Sequence, residues 1–236
     1  MQHILFNGSE RGVKDIGWLK SNFTFSFSSY YNPSKNGFGL LKVFNDDFVA
    51  AGKGFGLHPH QNMEIISIML NGQMNHKDSL GYADVVEKDW VQIMSAGSGL
   101  RHEEYNVGSD EVNFLQIWIE PKLQNVNPRY QRRSFPKDKR KNQLVTVVSN
   151  EEGQQHCWIN QNAKLSLGWF EAEKSVTYQF NPVNKGIFVF LMEGEAEVNG
   201  IKIGRRDAVG LWETEQVELR FVKETEFIII EAPINH

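Results

Sequence analysis

Short runs of aromatic and β-branched residues recur along the whole chain, separated by glycine, asparagine, aspartate and proline. Six of these runs cover 23–27, 64–70, 114–119, 144–148, 187–192 and 227–230. Such runs between turn-forming residues are typical of β-strands, and few segments show the 3.6-residue apolar period of a helix. The sequence therefore predicts an all-β fold, a sandwich or jelly roll, in a chain of 236 residues that is long enough for one large β domain or two smaller ones.

A weak internal repeat favours two copies of one β unit. The segment 68–72 resembles 190–194, and 89–91 resembles 207–209. The connector between the copies is predicted over 121–142, which contains eight lysine and arginine residues. We expect a solvated strap there rather than a nucleic-acid patch, because the formal net charge of the chain is −4 and its calculated pI is about 6.0.

The number of cysteines and the length of the apolar runs restrict where in the cell we expect the protein to be. Cys157 is the only cysteine, so an internal disulfide and a thiolate metal cluster are both excluded. The first 14 residues lack the apolar stretch of a signal peptide, and no run approaches the roughly 18 apolar residues of a membrane span. We expect a reducing, cytoplasmic location and no membrane partner.

Two short segments carry candidate metal ligands at the same spacing. His58 and His60 are two residues apart, and so are His102 and Glu104. On a strand this spacing directs both side chains of a pair to one face, so two such strands inside a barrel would bring three imidazoles and a carboxylate together. Nitrogen and oxygen ligands without sulfur suit a divalent transition metal.

The neighbouring titratable residues leave one alternative open. Glu64 lies four residues after His60 and shares its face if the strand is regular, so it is a rival ligand or a carboxylate that orients an imidazole. Glu103 is predicted to point away from His102 into solvent, and His76 to be an exposed residue at a strand end. Surface positions are predicted for the remaining histidines: His3, His156 and His236.

The internal repeat can be tested for a second site. When the two ligand pairs are shifted by the offsets between the repeats, they fall on Phe180, Pro182, Arg220 and Val222. These residue types form no comparable site. The C-terminal half is therefore predicted to be metal-free and structural, or a lid over the first half.

Both ligand segments resemble motifs of a known family. Gly52-(x5)-His58-x-His60-(x3)-Glu64 resembles the first cupin motif, and 94–104 resembles the second motif in its pirin form. Further blocks at 17–19, 25–33, 78–81 and 116–118 are similar to the N-terminal part of pirins. The resemblance covers about half of the chain strongly, and within the pirins it is closest to the bacterial quercetinase-type members.

This resemblance implies a bicupin fold of two face-to-face double-stranded β-helix (jelly-roll) barrels. It implies an N-terminal metal-binding cupin domain over 1–125 and a C-terminal metal-free cupin domain with the connector over 126–236. It also implies that His58, His60, His102 and Glu104 are the ligands, and that Glu64 is a carboxylate that orients an imidazole.

The same resemblance implies quercetin 2,3-dioxygenase activity, in which a flavonol ring is cleaved by dioxygen and carbon monoxide is released. Glu104 is then also the candidate catalytic base, if it loosens from the metal. Iron(II) is the first choice of metal, because an octahedral ion would keep two positions open and zinc tends to close a four-ligand site. Copper, manganese, cobalt, nickel and zinc are the alternatives.

Candidate pocket walls are Met63, Met94, Phe114 and Trp118, for which a place in the barrel core is favoured. A non-enzymatic function stays open: pirins also act as metal-dependent, redox-responsive regulators or interaction modules, and the same four ligands would serve. An enzyme acting on another enolizable or aromatic substrate is a third possibility. We expect a monomer with a small aromatic substrate and no direct nucleic-acid partner.

Overall fold

The computed structural model describes residues 1–181 and 183–234, so Pro182 and His236 lie outside the described residues. The described residues form 22 β-strands and two short 3₁₀ turns, at Gly8–Glu10 and Lys137–Arg140. None of the helical turns within these ranges has the length and apolar character needed to cross a membrane. The predicted all-β fold is confirmed.

The first half of the chain builds a barrel from two sheets. The strands of its larger sheet are β2 (Gly12–Asp15), β3 (Leu19–Phe23), β4 (Leu41–Val49), β6 (Glu64–Asn71), β9 (Trp90–Ser95), β11 (Val112–Ile119) and β12 (Arg129–Ser134). The strands of its smaller sheet are β5 (Gly54–His60), β7 (Gln73–Asp78), β8 (Ala83–Glu87) and β10 (Leu100–Asn106). The orders are β12-β9-β6-β11-β4-β3-β2 and β5-β10-β7-β8.

The second half repeats this plan. Its larger sheet contains β1 (Gln2–Phe6), β13 (Leu144–Ser149), β14 (Cys157–Trp158), β15 (Lys164–Phe170), β17 (Gly186–Glu193), β20 (Ala208–Trp212) and β22 (Thr225–Glu231). Its smaller sheet contains β16 (Ser175–Gln179), β18 (Glu195–Val198), β19 (Ile201–Gly204) and β21 (Gln216–Phe221). The orders β1-β20-β17-β22-β15-β13-β14 and β16-β21-β18-β19 match those of the first barrel position by position.

The two larger sheets pack against each other and bury one continuous apolar layer. Phe44 of the first sheet lies with its ring centroid 5.1 Å from that of Phe188 and 4.8 Å from that of Phe190. All three side chains are fully buried. Two jelly-roll barrels therefore stand face to face, as the family resemblance implied.

The two halves exchange one edge strand each. β1, at the start of the chain, pairs antiparallel with β20 in the second barrel, and β12 pairs with β9 in the first. Each exchanged strand covers a sheet edge that would otherwise expose unpaired backbone groups. The domain boundary at 125/126 stays a prediction, because the sheets interlock across it.

The connector differs from the solvated strap that the sequence suggested. Part of it is β12, where Tyr130 is buried inside the first barrel. Arg140 is also buried, and its Nη2 donates to Asp89 Oδ1 at 2.5 Å. The expectation of a fully solvated segment is wrong, because a basic run can still bury its alternate residues once it joins a sheet.

Candidate metal centre

The candidate ligands lie on two neighbouring strands of the smaller sheet in the first barrel. β10 pairs with β5 so that His102 is directly opposite His58. The register then shifts, and Glu104 is opposite Phe55, so β5 contains one extra residue in a bulge next to the site. A Cβ on Gly54 would stand 2.1 Å from the Glu104 carbonyl oxygen, which is why the strands can approach here only with glycine.

Three imidazole rings converge, as the spacing predicted. The ring centroid of His102 is 4.4 Å from that of His58 and 4.9 Å from that of His60, and the His58 and His60 centroids are 4.8 Å apart. Candidate ligand nitrogens of the three lie within 4.8 Å of one another. Pro59 is exposed between the two inward-facing histidines of its strand.

The hydrogen bonding of these rings leaves nitrogen atoms available to bind a metal ion. His58 Nδ1 lies 2.7 Å from the Gly56 carbonyl oxygen, which can only accept, so Nδ1 carries the proton and Nε2 keeps its lone pair. Both ring nitrogens of the buried His102 lack a hydrogen-bond partner among the described residues. A buried unpaired nitrogen costs about 1–3 kcal/mol, and a metal would satisfy one of them.

The electrostatics of the site also favour neutral, metal-binding imidazoles. Burial lowers the pKa of His102 to about 3, and the neighbouring His58 and His76 add to the effect. Burial, His102 and His58 together lower the pKa of His60 to about 4. Neutral imidazole is the form that binds a metal ion.

Glu104 is buried and oriented by a hydrogen-bonded side chain. Gln92 Nε2 donates to Glu104 Oε1 at 2.7 Å, and Tyr130 Oη donates to Gln92 Oε1 at 3.1 Å. Burial raises the pKa of Glu104, an effect that nearby His76 and the hydrogen bond from Gln92 oppose. Glu104 joins the cluster through His102, since its carboxylate and the nitrogens of His76 and His102 form a second group within 4.8 Å.

His76 is the residue that the sequence interpretation placed wrongly. It is buried rather than exposed, with 1% relative accessibility. Its Nε2 lies 2.8 Å from Asp78 Oδ2, and its ring is stacked on Tyr130 with centroids 4.2 Å apart. On β7 the alternation of buried Met74, His76 and Asp78 follows the strand period, and Met74 two residues earlier was the signal for an inward direction.

Glu64 is separated from the imidazoles by a break in the strand. Asn62 has a φ of +49°, so the chain turns after His60 and Glu64 begins β6 in the other sheet. Glu64 Oε2 accepts from Ser95 Oγ at 2.6 Å and from the Asn160 backbone N–H at 3.1 Å. The condition of a regular strand fails, and neither the rival-ligand role nor the imidazole-orienting role fits these contacts.

A cavity of about 250 Å³ opens beside the imidazoles, inside the barrel. Its lining includes aromatic and apolar side chains, namely Leu19, Phe23, Phe27, Phe55, Ile65 and Trp118, and polar ones, namely Lys14, Ser21, Asn45, Asp47 and Gln116. The favoured core position is confirmed for Met94 and Phe114, and Met63 packs against the core, whereas Trp118 lines the cavity as a pocket wall. Burial raises the pKa of Asp47 to about 7, and Asp46 and Glu104 add to this.

The second barrel holds apolar side chains at its inward positions. Val217, Leu219 and Phe221 alternate inward on β21, and buried Phe180 joins the same cluster. Arg220 and Val222, which the repeat offset matched to His102 and Glu104, are exposed. The repeat offset was therefore wrong by one residue, and a shift of one residue assigns side chains to the opposite face of a strand. In the described part of the chain, the two groups able to hold a metal lie within 58–104.

Two interlocked jelly-roll barrels, with an imidazole and carboxylate cluster inside one of them, define a two-domain cupin, and the donor set fits a divalent transition metal. The chain matches the Pirin family model over residues 7–119 and the Quercetinase C-terminal cupin domain model over residues 146–232. It therefore belongs to the pirin family of cupin proteins.

Relatives and solved structures agree over nearly the full chain. The chain is 35% identical to Quercetin 2,3-dioxygenase of Escherichia coli strain K12, covering 97% of this chain and 98% of the relative. It is 36% identical to the Pirin-like protein of Caulobacter vibrioides, covering 94% and 95%. The crystal structure of the bacterial pirin YhhW from Escherichia coli in complex with nickel(II) superposes with a TM-score of 0.93 at 32% identity, covering 99% and 100%.

Proposed function

We propose that this protein is a metal-dependent dioxygenase of the quercetinase type, which opens the flavonol ring of quercetin with dioxygen and releases carbon monoxide. The observation that carries the proposal is the convergence of three imidazoles and a carboxylate on the wall of an aromatic-lined cavity. Its similarity to a protein named Quercetin 2,3-dioxygenase supports the same class of activity. The proposed ligands are His58, His60, His102 and Glu104.

The chain's own residues would bind and orient the substrate. The ring faces and edges available to a flat aromatic molecule are those of Phe23, Phe27, Phe55 and Trp118. Glu104, held by Gln92, would accept the proton of the substrate 3-hydroxyl if it loosens from the metal, because a free carboxylate within reach of that hydroxyl can act as a general base. When bound, the metal supplies the positive charge that lowers the pKa of that hydroxyl.

We propose iron(II) as the native metal. Three imidazoles and one carboxylate leave a divalent ion with net positive charge and, in an octahedral ion, two further positions. Copper, manganese, cobalt, nickel and zinc are the competing assignments, and the nickel complex of a relative supports a divalent ion in general. We also propose that the protein is a monomer and that it is located in the reducing cytoplasm.

The decisive test is aerobic incubation of iron-loaded protein with quercetin. We expect flavonol absorbance to fall, dioxygen to be consumed and carbon monoxide to be released, all in proportion to protein. A flavone without the 3-hydroxyl should be inert, because it offers the metal no anionic oxygen.

The matched pair of variants is His60→Ala and His3→Ala, since His3 is exposed on β1 and far in sequence from the site. His60→Ala should reduce the rate to that of quercetin autoxidation, and His3→Ala should leave it unchanged. If fully metallated protein is no faster than His60→Ala, the dioxygenase proposal fails, and a metal-dependent regulator or interaction module becomes the better account.

A further inference from the structure

Lys14 is a cation at the metal cavity with no acidic partner. It lies on β2, is half-buried, and lines the cavity together with His58, His102 and Glu104. Among the described residues it forms no salt bridge and no side-chain hydrogen bond, although the chain has acidic residues in excess. A cation that lines a cavity without a partner among the described residues is available to pair with an anionic group of a ligand.

The strand register places Lys14 on the face of the sheet that lines the cavity. Lys14 is directly opposite Ser21 on β3, and Ser21 is directly opposite Asp47 on β4. Directly opposed residues share one face of a sheet, and all three line the cavity. Two strand spacings separate Lys14 from Asp47 by roughly 10 Å, which is the reach of a substrate with more than one ring.

The charges around the cavity favour an anion near Lys14. Besides three histidines, the charged side chains of the described lining are Lys14, Asp47 and Glu104. Even with both carboxylates ionised, a bound divalent ion and Lys14 leave the cavity with net positive charge. The Ser21 side chain is hydrogen-bonded to Asp47, and Asp47 lies two strands away from Lys14.

We propose that Lys14 is a substrate-binding residue that pairs with an anionic oxygen, phenolate or carboxylate, on the part of an aromatic substrate that lies away from the metal. This inference rests on the proposed function, since it assumes that the substrate is an aromatic molecule bound to the metal. In this role Lys14 selects among flavonols by the acidity and position of the substituents on the rings that lie away from the metal.

Equilibrium binding without turnover tests the inference. The protein is loaded with iron(II), the proposed metal, and titrated with 3-hydroxyflavone, followed by flavonol absorbance; the titration is anaerobic, so that no dioxygen is present for turnover. The same titration is run with derivatives that carry a carboxylate or a hydroxyl on the phenyl ring or at position 7. We expect at least one charged derivative to bind about fivefold to tenfold more tightly than the parent in low salt, and the preference to shrink in 0.5 M salt.

The matched variants are Lys14→Met and Lys20→Met, which remove the same charge. Lys20 precedes Ser21 on β3 and is exposed on the opposite side of the strand. Lys14→Met should abolish the preference and change the affinity for 3-hydroxyflavone less than twofold, Lys20→Met should retain the preference, and Lys14→Arg should restore most of it. The hydroxyl and carboxyl derivatives, compared across pH, show whether phenolate or carboxylate is the better partner.

The outcomes separate this inference from the proposed function. If the wild type binds 3-hydroxyflavone but none of the charged derivatives more tightly, or if both lysine variants lower the preference equally, the role of Lys14 is refuted and the proposed function stands. If the iron-loaded wild type binds no flavonol at all, the proposed function is refuted together with it.

Discussion

The two barrels have the same strand order but opposite interiors. In the first barrel the inward positions of β10 include His102 and Glu104 beside a cavity, whereas those of β21 in the second barrel are Val217, Leu219 and Phe221 in a packed apolar cluster. One copy of the fold thus stabilises itself with side-chain packing, and the other gives part of its core to polar groups. A duplicated barrel allows this division, because the packed copy can carry the stability that the hollow copy lacks.

Of the changes that test this difference between the barrels, the loss of a proposed ligand should have the largest effect. We expect His102→Ala to lower metal affinity by more than about a hundredfold, because it removes the imidazole shared by both candidate groups. The measurement is metal content by elemental analysis after anaerobic reconstitution and desalting. Retention of a full metal complement by this variant would mean that the cluster is not the binding site.

The number of metal ions bound per chain also tests the difference between the two barrels. We expect one metal per chain, because the groups able to hold a metal in the described residues lie in the first barrel. His58→Ala should lower the ratio towards zero, and His3→Ala should leave it at one. A reproducible ratio near two would contradict the asymmetry between the barrels.

Removal of an aromatic ring from the second barrel should cost stability and spare the metal. Phe221 is 1% exposed and stacks on Phe170 with ring centroids 4.6 Å apart. Phe221→Ala should lower the free energy of unfolding of the apo protein by about 3–5 kcal/mol, through lost burial and the cavity left behind. Denaturant unfolding measures this.

The control for that experiment is His58→Ala in the first barrel, a half-buried site where we expect a loss below about 1 kcal/mol. If both variants lose the same stability, the barrels do not divide packing and chemistry as described.

His76 should tune the metal rather than hold it. It lies directly opposite Glu104 on the neighbouring strand, and its Nε2 is engaged by Asp78. We expect His76→Phe, which keeps a ring for stacking on Tyr130, to weaken metal affinity about tenfold in a chelator competition titration. A loss comparable to that of His102→Ala would make His76 a ligand, and no change would make it a core residue.

Glu64 should give the smallest effect, on stability alone. Burial raises the pKa of Glu64 above its ordinary 4.5, so the folded protein holds this proton more tightly and loses the associated stability as pH rises through the raised pKa. We expect Glu64→Gln to become more stable relative to the wild type as pH rises from 4 to 8, with unchanged metal content. If Glu64→Gln strips the metal and Glu104→Gln does not, the carboxylate assignment is wrong.

Local pattern was sufficient for the strands and for the histidine pairs. Side-chain direction in a strand alternates with every residue, so the two-residue spacing alone assigns His58 with His60, and His102 with Glu104, to common faces. The repeat likewise predicted two similar units, and their matching sheet orders confirm the fold. The resemblance to pirins then identified the family.

The same local logic failed where the backbone departs from a regular strand or where a partner strand comes from far away. The positive φ of Asn62 moves Glu64 into the other sheet, and the one-residue phase error made Arg220 and Val222 seem to face inward. The exchange of β1 and β12 between the halves has no local signature at all.

The sequence by itself determined that this chain is an all-β protein with two pairs of metal-type side chains, because strand period and ligand chemistry are properties of neighbouring residues. The tertiary structure alone decided which faces meet, that His76 joins the cluster, and that Lys14 lies at the cavity without an acidic partner among the described residues. Those features depend on the register between strands distant in sequence, which is set by the packing of the two barrels.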